Sequence, residues 1–338
     1  MTTDNTIDWS RFRVELDDVQ FIGRNLQRPE CVLCNSAGDL FTSDSRGGVQ
    51  ITSAAGGQRL AGGAVVPAIK PNGISLCRDG TFLVADIAQG GVYRVDAQGN
   101  VTSYLREVDG VPLPPTNFVT RDARDRTWIT VSTRLEPRTR AYRPGAGDGF
   151  IVLADHRGAR IVADGIGYTN EVAIDQSGDW LYVNETCGKR VTRFQITPDG
   201  RLAARETLAE FGAGTFPDGL ALDVAGGVWI TSIISNRVIR VDRDGSQLLI
   251  LEDCDSGYVA HFEALFAQGK VERHDVEGIK SRRLRNISSI AFGGSDRKTV
   301  YLGCLLGDAI ATFASPIAGQ APAHWSYRAA AHADVRGG

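Results

Sequence analysis

The chain has 338 residues, a formal net charge of −3 and 39 glycines, with 42% hydrophobic and 23% charged residues. So small a charge offers no basic field to nucleic acid or an anionic membrane, and the composition is that of a soluble, turn-rich protein. No apolar run is long enough to span a bilayer and the start, MTTDNTIDWSRFRVE, has no charged-then-apolar leader, so the expectation is a cytoplasmic protein.

In chain order, VQFIGRNL (residues 19–26) reads as a strand with no partner nearby in sequence. RPECVL then places Glu30 just ahead of an apolar run. Its Cys31 and Cys34 lie three apart on a strand and point to opposite faces, so they cannot easily chelate one ion. With Cys77, Cys187, Cys254 and Cys304 they are expected as reduced, buried thiols. PNGISLCRDG, TFLVADI, GGVYRVDAQGN and VTSYLRE form four consecutive strand signals opened by Asn72. PPTNFVT opens the next group with Asn117, and the insertion TRLEPRTRAYRPGAGDG interrupts it, bringing Arg134, Arg138, Arg140 and Arg143 to the rim. These arginines could attract a carboxylated or phosphorylated substrate, although a solvated loop is the simpler reading. GYTNEVAI (Asn170) and FPDGLAL (Asp218) open two further groups, and V-x-R-[VF] recurs in the third strand of three groups at Val92, Val191 and Val238.

After the fifth group comes a long insertion, residues 253–283, in which Val259, Phe262, Leu265 and Phe266 share one helical face. RLRNISSI (Asn286) opens the last group, which lacks a fourth strand before a Pro- and Ala-rich tail whose end, from about Arg328, is expected to be disordered.

The six openings, Glu30, Asn72, Asn117, Asn170, Asp218 and Asn286, are spaced 42, 45, 53, 48 and 68 residues apart. A strand-like repeat of that length predicts an all-β, six-bladed β-propeller, one domain over residues 1–338. The blades fall at about 28–65, 68–108, 113–165, 168–211, 214–252 and 284–315, the last closed by the strand at 19–26, with 253–283 as a helical lid. In this fold equivalent positions meet at the axis. Glu30, Asn117, Asn170 and Asp218 then bring two carboxylates and two amide carbonyls together, a set suited to one hard divalent cation at the centre. An isolated Asn or Asp at a strand start can simply make an Asx turn, but four at matching repeat positions point inward together. Tyr168, Phe216, Tyr142 and Phe118 lie near these positions and would make part of the pocket apolar, and His261 on the lid is a candidate substrate contact.

RPEC, the strand starts at Asn117 and Asn170, and FPDG around Asp218 resemble the SMP-30/gluconolactonase family over roughly residues 20–315, with similar ring chemistry in paraoxonases and diisopropylfluorophosphatase. The resemblance implies a divalent metal held by Glu30, Asn170 and Asp218, with Asn117 as a further ligand or substrate contact beside Asn72. Ca²⁺ is expected ahead of Zn²⁺, Mn²⁺, Mg²⁺ or Fe²⁺. It implies hydrolysis of a small lactone, with Asp218 as general base, although a metal-bound hydroxide is an equal source of the nucleophile. Phosphotriester or phosphofluoridate hydrolysis in the same cleft, or a non-catalytic binding propeller, are the alternatives. Two positions depart from the family pattern: Pro115 stands where sugar-lactone enzymes often have Arg, and Glu171 where Gly usually follows the blade-four Asn.

Overall fold

In blades one, three, four and five the innermost strand ends at an Asp or Asn whose side chain folds the chain back. Asn35 Oδ1 accepts the backbone N–H groups of Ala37 and Asp39, Asp122 Oδ1 those of Arg124 and Arg126, and Asp223 Oδ1 those of Ala225 and Gly227, all at 2.8–3.0 Å. These Asx turns satisfy the donors a tight reversal exposes and start the second strand in register. A computed structural model describes residues 7, 9, 12–63 and 69–330. Residues 64–68, where the first and second predicted blades meet, and 331–338 of the expected disordered end lie outside the described residues.

The strands form six four-stranded antiparallel sheets arranged as a six-bladed propeller. Blade one runs Val32–Cys34, Leu40–Asp44, Gly48–Thr52 and Gln58–Gly62, and blade two runs Pro71–Leu76, Phe82–Asp86, Val92–Val95 and Val101–Leu105. Blade three contains Thr116–Arg121, Thr127–Val131, Gly149–Asp155 and Gly158–Ile166, with a 3₁₀ turn at Arg138–Ala141 inside its insertion. Blade four contains Thr169–Ile174, Trp180–Glu185, Arg190–Ile196 and Leu202–Glu210, and blade five Pro217–Leu222, Val228–Ser232, Arg237–Val241 and Gln247–Glu252. Blade six contains Ile287–Gly293, Thr299–Cys304 and Ile310–Ala314, and its outer edge is paired by Gln20–Ile22, with Gln20 opposite Thr312 and Ile22 opposite Ile310. Joining the two ends of the chain in one sheet removes an exposed edge. Two helices, α1 (Ser256–Gln268) and α2 (Arg273–Glu277), follow blade five.

Burial follows strand position. Leu40–Asp44, Phe82–Asp86, Thr127–Val131 and Val228–Ser232 are buried throughout, because neighbouring blades cover both faces, whereas the outer strand Leu202–Glu210 is largely exposed. Aromatic pairs join adjacent blades, Phe41 to Phe82 at 5.4 Å and Trp229 to Phe292 at 5.2 Å between ring centres.

The segment after blade six is not loose. It crosses the underside of the propeller: Gln320 N–H reaches Leu222 O, Ser36 N–H reaches Trp325 O, and Ala330 N–H reaches Gly80 O. Residues 328–330 are therefore fastened to blades one and two, contrary to the disorder expected from Arg328 onward. Backbone N–H and C=O groups left free by the turns supply anchors that the tail's composition does not reveal.

The Asx turns of blades three and five carry a further load. Asp223 Oδ2 accepts from Trp229 Nε1 at 3.0 Å and Arg240 Nε at 2.7 Å, and Asp122 does the same for Trp128 and Arg126, at 3.0 and 2.6 Å. Arg240 and Asp223 are both buried. Asp223→Ala would leave the Arg240 Nε–H, an indole N–H and two turn amides unpaired, with Arg240 still held by Asp242, and should lower stability by about 3 kcal/mol. Denaturant unfolding of the variant checks this; a loss under about 1 kcal/mol would show that the network is dispensable.

Candidate metal centre and active site

A regular ladder would alternate the side chains of the inner strands between the two neighbouring blades, and none would be committed to the axis. In four blades the ladder breaks at the relevant residue. The register between first and second strands shifts between Pro71 and Ile74, Thr116 and Phe118, Thr169 and Val172, and Pro217 and Leu220. The residues skipped include Asn72, Asn117, Asn170 and Asp218. A bulge leaves such a residue out of the pairing and re-aims its side chain. In blade six the shift falls between Ile287 and Ser289, so Ser288 is the equivalent of the ring residues. Asn286 lies two residues too early, and its amide nitrogen instead reaches Val276 O beside α2 at 2.6 Å.

Close packing holds the bulges together. A Cβ on Gly73 would lie 2.6 Å from Phe118 Cα, one on Gly219 2.5 Å from Ser289 Cα, and one on Gly303 2.4 Å from Glu30 O. Leu220 N–H, freed by the bulge at Asp218, is taken by Glu171 Oε2 at 2.9 Å. Glu171 thus supports the neighbouring blade from below the ring. Asn184 fixes the backbone of the same bulge by donating to Asp218 O at 3.0 Å and Gly219 O at 2.8 Å.

The ring side chains are held by one end each. Asn72 Nδ2 donates to Glu30 Oε1 at 2.7 Å and to Asn117 O at 2.9 Å, while Arg28 Nη2 donates to Asn72 Oδ1 at 2.8 Å. Asn117 Nδ2 donates to Ser132 Oγ at 2.9 Å, and Asn170 Nδ2 to Thr186 Oγ1 at 3.0 Å, whose hydroxyl passes its own proton to Pro217 O at 2.7 Å. Ser288 Oγ donates to Glu30 O at 2.8 Å. Of the buried oxygens without a hydrogen-bond partner, three belong to the ring side chains, Glu30 Oε2, Asn170 Oδ1 and Asp218 Oδ1, with Asn184 Oδ1 and Asn286 Oδ1 unpartnered elsewhere. Buried acceptors are ordinarily paired, and three unpaired oxygens at one ring are of the chemical type that could hold an oxygen-binding cation. Among the described residues no group of three His, Cys, Asp or Glu is placed to bind a metal, and here amides complete the set.

Electrostatics agree with that reading. Burial, then the charge of Glu30, hold the Asp218 carboxyl well above the usual carboxylate range, and burial raises Glu30 as well. Both are costly to ionise without a nearby cation.

The other expected residues divide. Asn72 lies at the ring, but its amide is spent on Glu30, Asn117 and Arg28. Tyr168 packs against Tyr142, ring centres 4.8 Å apart, beneath the Arg138 guanidinium. Phe216 is fully buried, because Phe262 and Phe266 of α1 each approach it to 5.0 Å. α1 therefore seals Phe216 away from any open pocket wall. His261 is on the exposed side of α1, where its nearest ring is Tyr258, and the structure does not bring it to the ring. Of the rim arginines, Arg134 pairs with Asp164 at 2.8 Å, and Arg140 and Arg143 reach backbone carbonyls of their own loop. Arg138 alone turns inward. Cys34 donates to Phe292 O and its thiol is pushed up to about 12 by burial, as for an inert cysteine.

Ser132, Asn184, Thr186, Ser288 and Arg28 are missed by the strand-start pattern. The first three are polar residues at the inner ends of otherwise apolar second strands, a signal that sequence inspection could use. Below the ring a cavity of 260 Å³ continues down the channel past Phe118 and Glu171 to Arg126 and His324 of the crossing tail. It belongs to the opposite face and contains none of the three orphan oxygens.

The sequence profile described as SMP-30/Gluconolactonase/LRE-like region matches residues 29–252. A 6-deoxy-6-sulfogluconolactonase of Pseudomonas putida is 32% identical over 177 residues, 51% of this chain and 57% of that protein. The chain thus spans little more than half the length of this curated relative. The pentonolactonase XacC of Haloferax volcanii is 26% identical over 240 residues, 70% of this chain and 67% of that protein. Among solved structures, the calcium-binding protein regucalcin of Agrobacterium tumefaciens superposes with a TM-score of 0.64 at 16% identity, covering 92% of this chain and 98% of that one, a likeness of fold.

The raised carboxyls give a pH signature. A carboxyl whose folded pKa lies above its unfolded value stabilises the protein at pH below about 4, and that stabilisation is lost as pH rises through the folded value. In chelator, wild type should therefore melt increasingly below Asp218→Asn as pH rises from about 5 to about 8. Added Ca²⁺ should reverse the order at about pH 8, since only the wild type offers the ion both charges. A gap between the two melting temperatures that is independent of pH would contradict the assignment.

Proposed function

Because the chain belongs to the SMP-30/gluconolactonase/LRE-like family, we propose that it hydrolyses a small lactone to the hydroxy acid at the propeller axis, with one divalent cation held by Glu30, Asn170 and Asp218. The three orphan oxygens of those residues carry the reading. Lactonases among the related proteins support the reaction class, and the calcium-binding regucalcin supports Ca²⁺ as the ion. When bound, the cation would polarise the lactone carbonyl and stabilise the negative charge that develops on its oxygen.

The chain's own groups do the rest. Asp218, fixed at its backbone by Asn184, would offer Oδ2, the carboxylate oxygen not assigned to the ion, to take a proton from the water that attacks the carbonyl. Burial and Glu30 raise the proton affinity of Asp218 in the ion-free ring, and a bound cation would lower it again, so its part as base rests on its position beside the ion. The proton then passes to the departing ring oxygen, and the carbon–oxygen bond of the lactone breaks. Asn72 keeps Glu30 from rotating by holding Oε1 while Oε2 faces inward. Asn117, buried with its Oδ1 3.5 Å from Asn72 Nδ2, supplies a further oxygen to the ion or a contact to the substrate. Tyr142 and Tyr168 form the apolar side, covered by α1, which serves as a lid over the ring face.

The test is lactone hydrolysis followed by acid release with a pH indicator. Exhaustive chelation should abolish turnover, and one of Ca²⁺, Zn²⁺, Mn²⁺ or Mg²⁺ should restore it. Asp218→Asn should lower kcat by about 10²–10⁴-fold. Full activity after chelation would remove the metal from the reaction, and an unimpaired Asp218→Asn would remove the base.

A further inference from the structure

The ring is supplied with more positive charge than its two carboxylates need. Arg28, Lys70 and Arg138 surround it, and among the described residues none of the three makes an ion pair with a carboxylate. The charges of Arg28 and Arg138 both act on Glu30 and Asp218. Once a divalent cation has neutralised Glu30 and Asp218, Arg28 and Arg138 have no carboxylate paired to them among the described residues, while Glu277 acts on Lys70.

Arg138 is placed to use its charge. It begins the 3₁₀ turn Arg138–Ala141, anchored by the buried Ala141 and Tyr142. Its Nη2 donates to Ser132 Oγ at 3.0 Å, the same hydroxyl that takes Asn117 Nδ2. Its guanidinium lies 5.3 Å from the Tyr168 ring centre, two residues before Asn170. Arg138 is thus fastened on one side to the residue that orients Asn117 and stacked on the other over the approach to Asn170. Its Nε is inaccessible and has no acceptor. Arg28 mirrors it across the ring: Nη1 donates to Pro71 O and Nη2 to Asn72 Oδ1, while Nε has no partner. A guanidinium held this rigidly, with a donor left over, is a receptor for an oxyanion.

We propose that Arg138 determines specificity at this site, and that the lactone it selects carries an anionic group away from the ring carbonyl, an oxyanion such as a carboxylate, sulfonate or phosphate. The oxyanion accepts from Arg138 Nη1, which has no acceptor among the described residues, and lies near Arg28. This inference rests on the lactonase reading and narrows it to a substrate class. Arg138 does so from a loop position that falls outside the strand-start pattern.

Three lactones of one sugar series test it in the metal-loaded protein: neutral D-glucono-1,5-lactone, D-glucaro-1,4-lactone with a carboxylate, and 6-phospho-D-glucono-1,5-lactone with a phosphate. At least one anionic lactone should exceed the neutral one in kcat/KM by about tenfold or more. Arg138→Gln should reduce that ratio by about 10- to 100-fold, mainly through KM, with Arg138→Lys recovering part of it. The wild-type preference should also weaken with added salt. A wild type that favours the neutral lactone, or an Arg138→Gln variant that depresses all three equally, would overturn the proposal while leaving the lactonase reading intact. Calorimetric titration with 6-phosphogluconate and gluconate decides independently of turnover. Preference for 6-phosphogluconate that is lost in Arg138→Gln upholds the anion site even if no lactone is hydrolysed, and equal binding of the two acids by wild type defeats it.

Discussion

The broken ladder at the inner end of blades two to six is the constraint from which the site follows. An uninterrupted antiparallel ladder would leave Asn72, Asn117, Asn170 and Asp218 within the pleat, facing neighbouring blades. The bulges put them on the axis instead, and each bulge releases a backbone group that something else must satisfy. Glu171 takes the N–H of Leu220, Asn184 donates to the carbonyls of Asp218 and Gly219, and Thr186 donates to that of Pro217. The departure from Gly at position 171 thereby has a structural account: a carboxylate below the ring pairs the amide that the next bulge frees. Gly73 and Gly219 meet the requirement differently, by having no Cβ where adjacent inner strands nearly touch.

A second consequence is electrostatic. Six blades converging on one axis bring carboxylates together where little water can reach, so burial raises the proton affinity of both, and the charge of Glu30 raises that of Asp218 further. Arg28 and Arg138 offset part of that repulsion, but neither donates a hydrogen bond to Glu30 or Asp218; they hold Asn72 and Ser132 instead. A cation can therefore enter between the carboxylates without displacing an existing ion pair. The three residues Arg28, Tyr168 and Asn286 also adopt positive φ values of 53°, 64° and 55° close to ring positions. Strained backbone of this kind persists only where the surroundings over-determine it.

The propeller is legible in the sequence because its evidence is repeated. Strand-like runs bounded by Gly and Asp recur with a period set by the blade, and one weak blade does not disturb the pattern. The spacing itself does not contain the register, which is why Asn286 stands in for Ser288: both are polar residues ahead of an apolar run, and only the pairing of Ile287 with Cys304 separates them. The rim arginines show the same limit. Four lie within ten residues and carry equal sequence weight, yet the anchoring of Ala141 and Tyr142 turns Arg138 inward while Arg134 swings out to Asp164. His261 and Phe262 are neighbours on one helix, and the helical period alone decides that Phe262 is buried against Phe216 while His261 faces solvent.

The pocket that results is asymmetric, and the asymmetry has a mechanical side. Its cationic half is carried by Arg28 and Arg138, tied to the ends of the inner and second strands, parts of the blades buried from both faces. Its apolar side is Tyr142 and Tyr168, backed by Phe262 and Phe266 of α1, which cover the buried Phe216. The Lys189–Glu263 pair at 2.5 Å is a principal polar tie between α1 and the blades, and Lys189 also lies 4.5 Å from the Phe216 ring centre. Edge-to-face aromatic contacts can be broken and remade with little directional penalty, whereas the guanidinium hydrogen bonds at the ring cannot. Any opening that admits substrate is therefore expected on the α1 side, leaving the cationic side as the fixed surface against which the substrate is oriented.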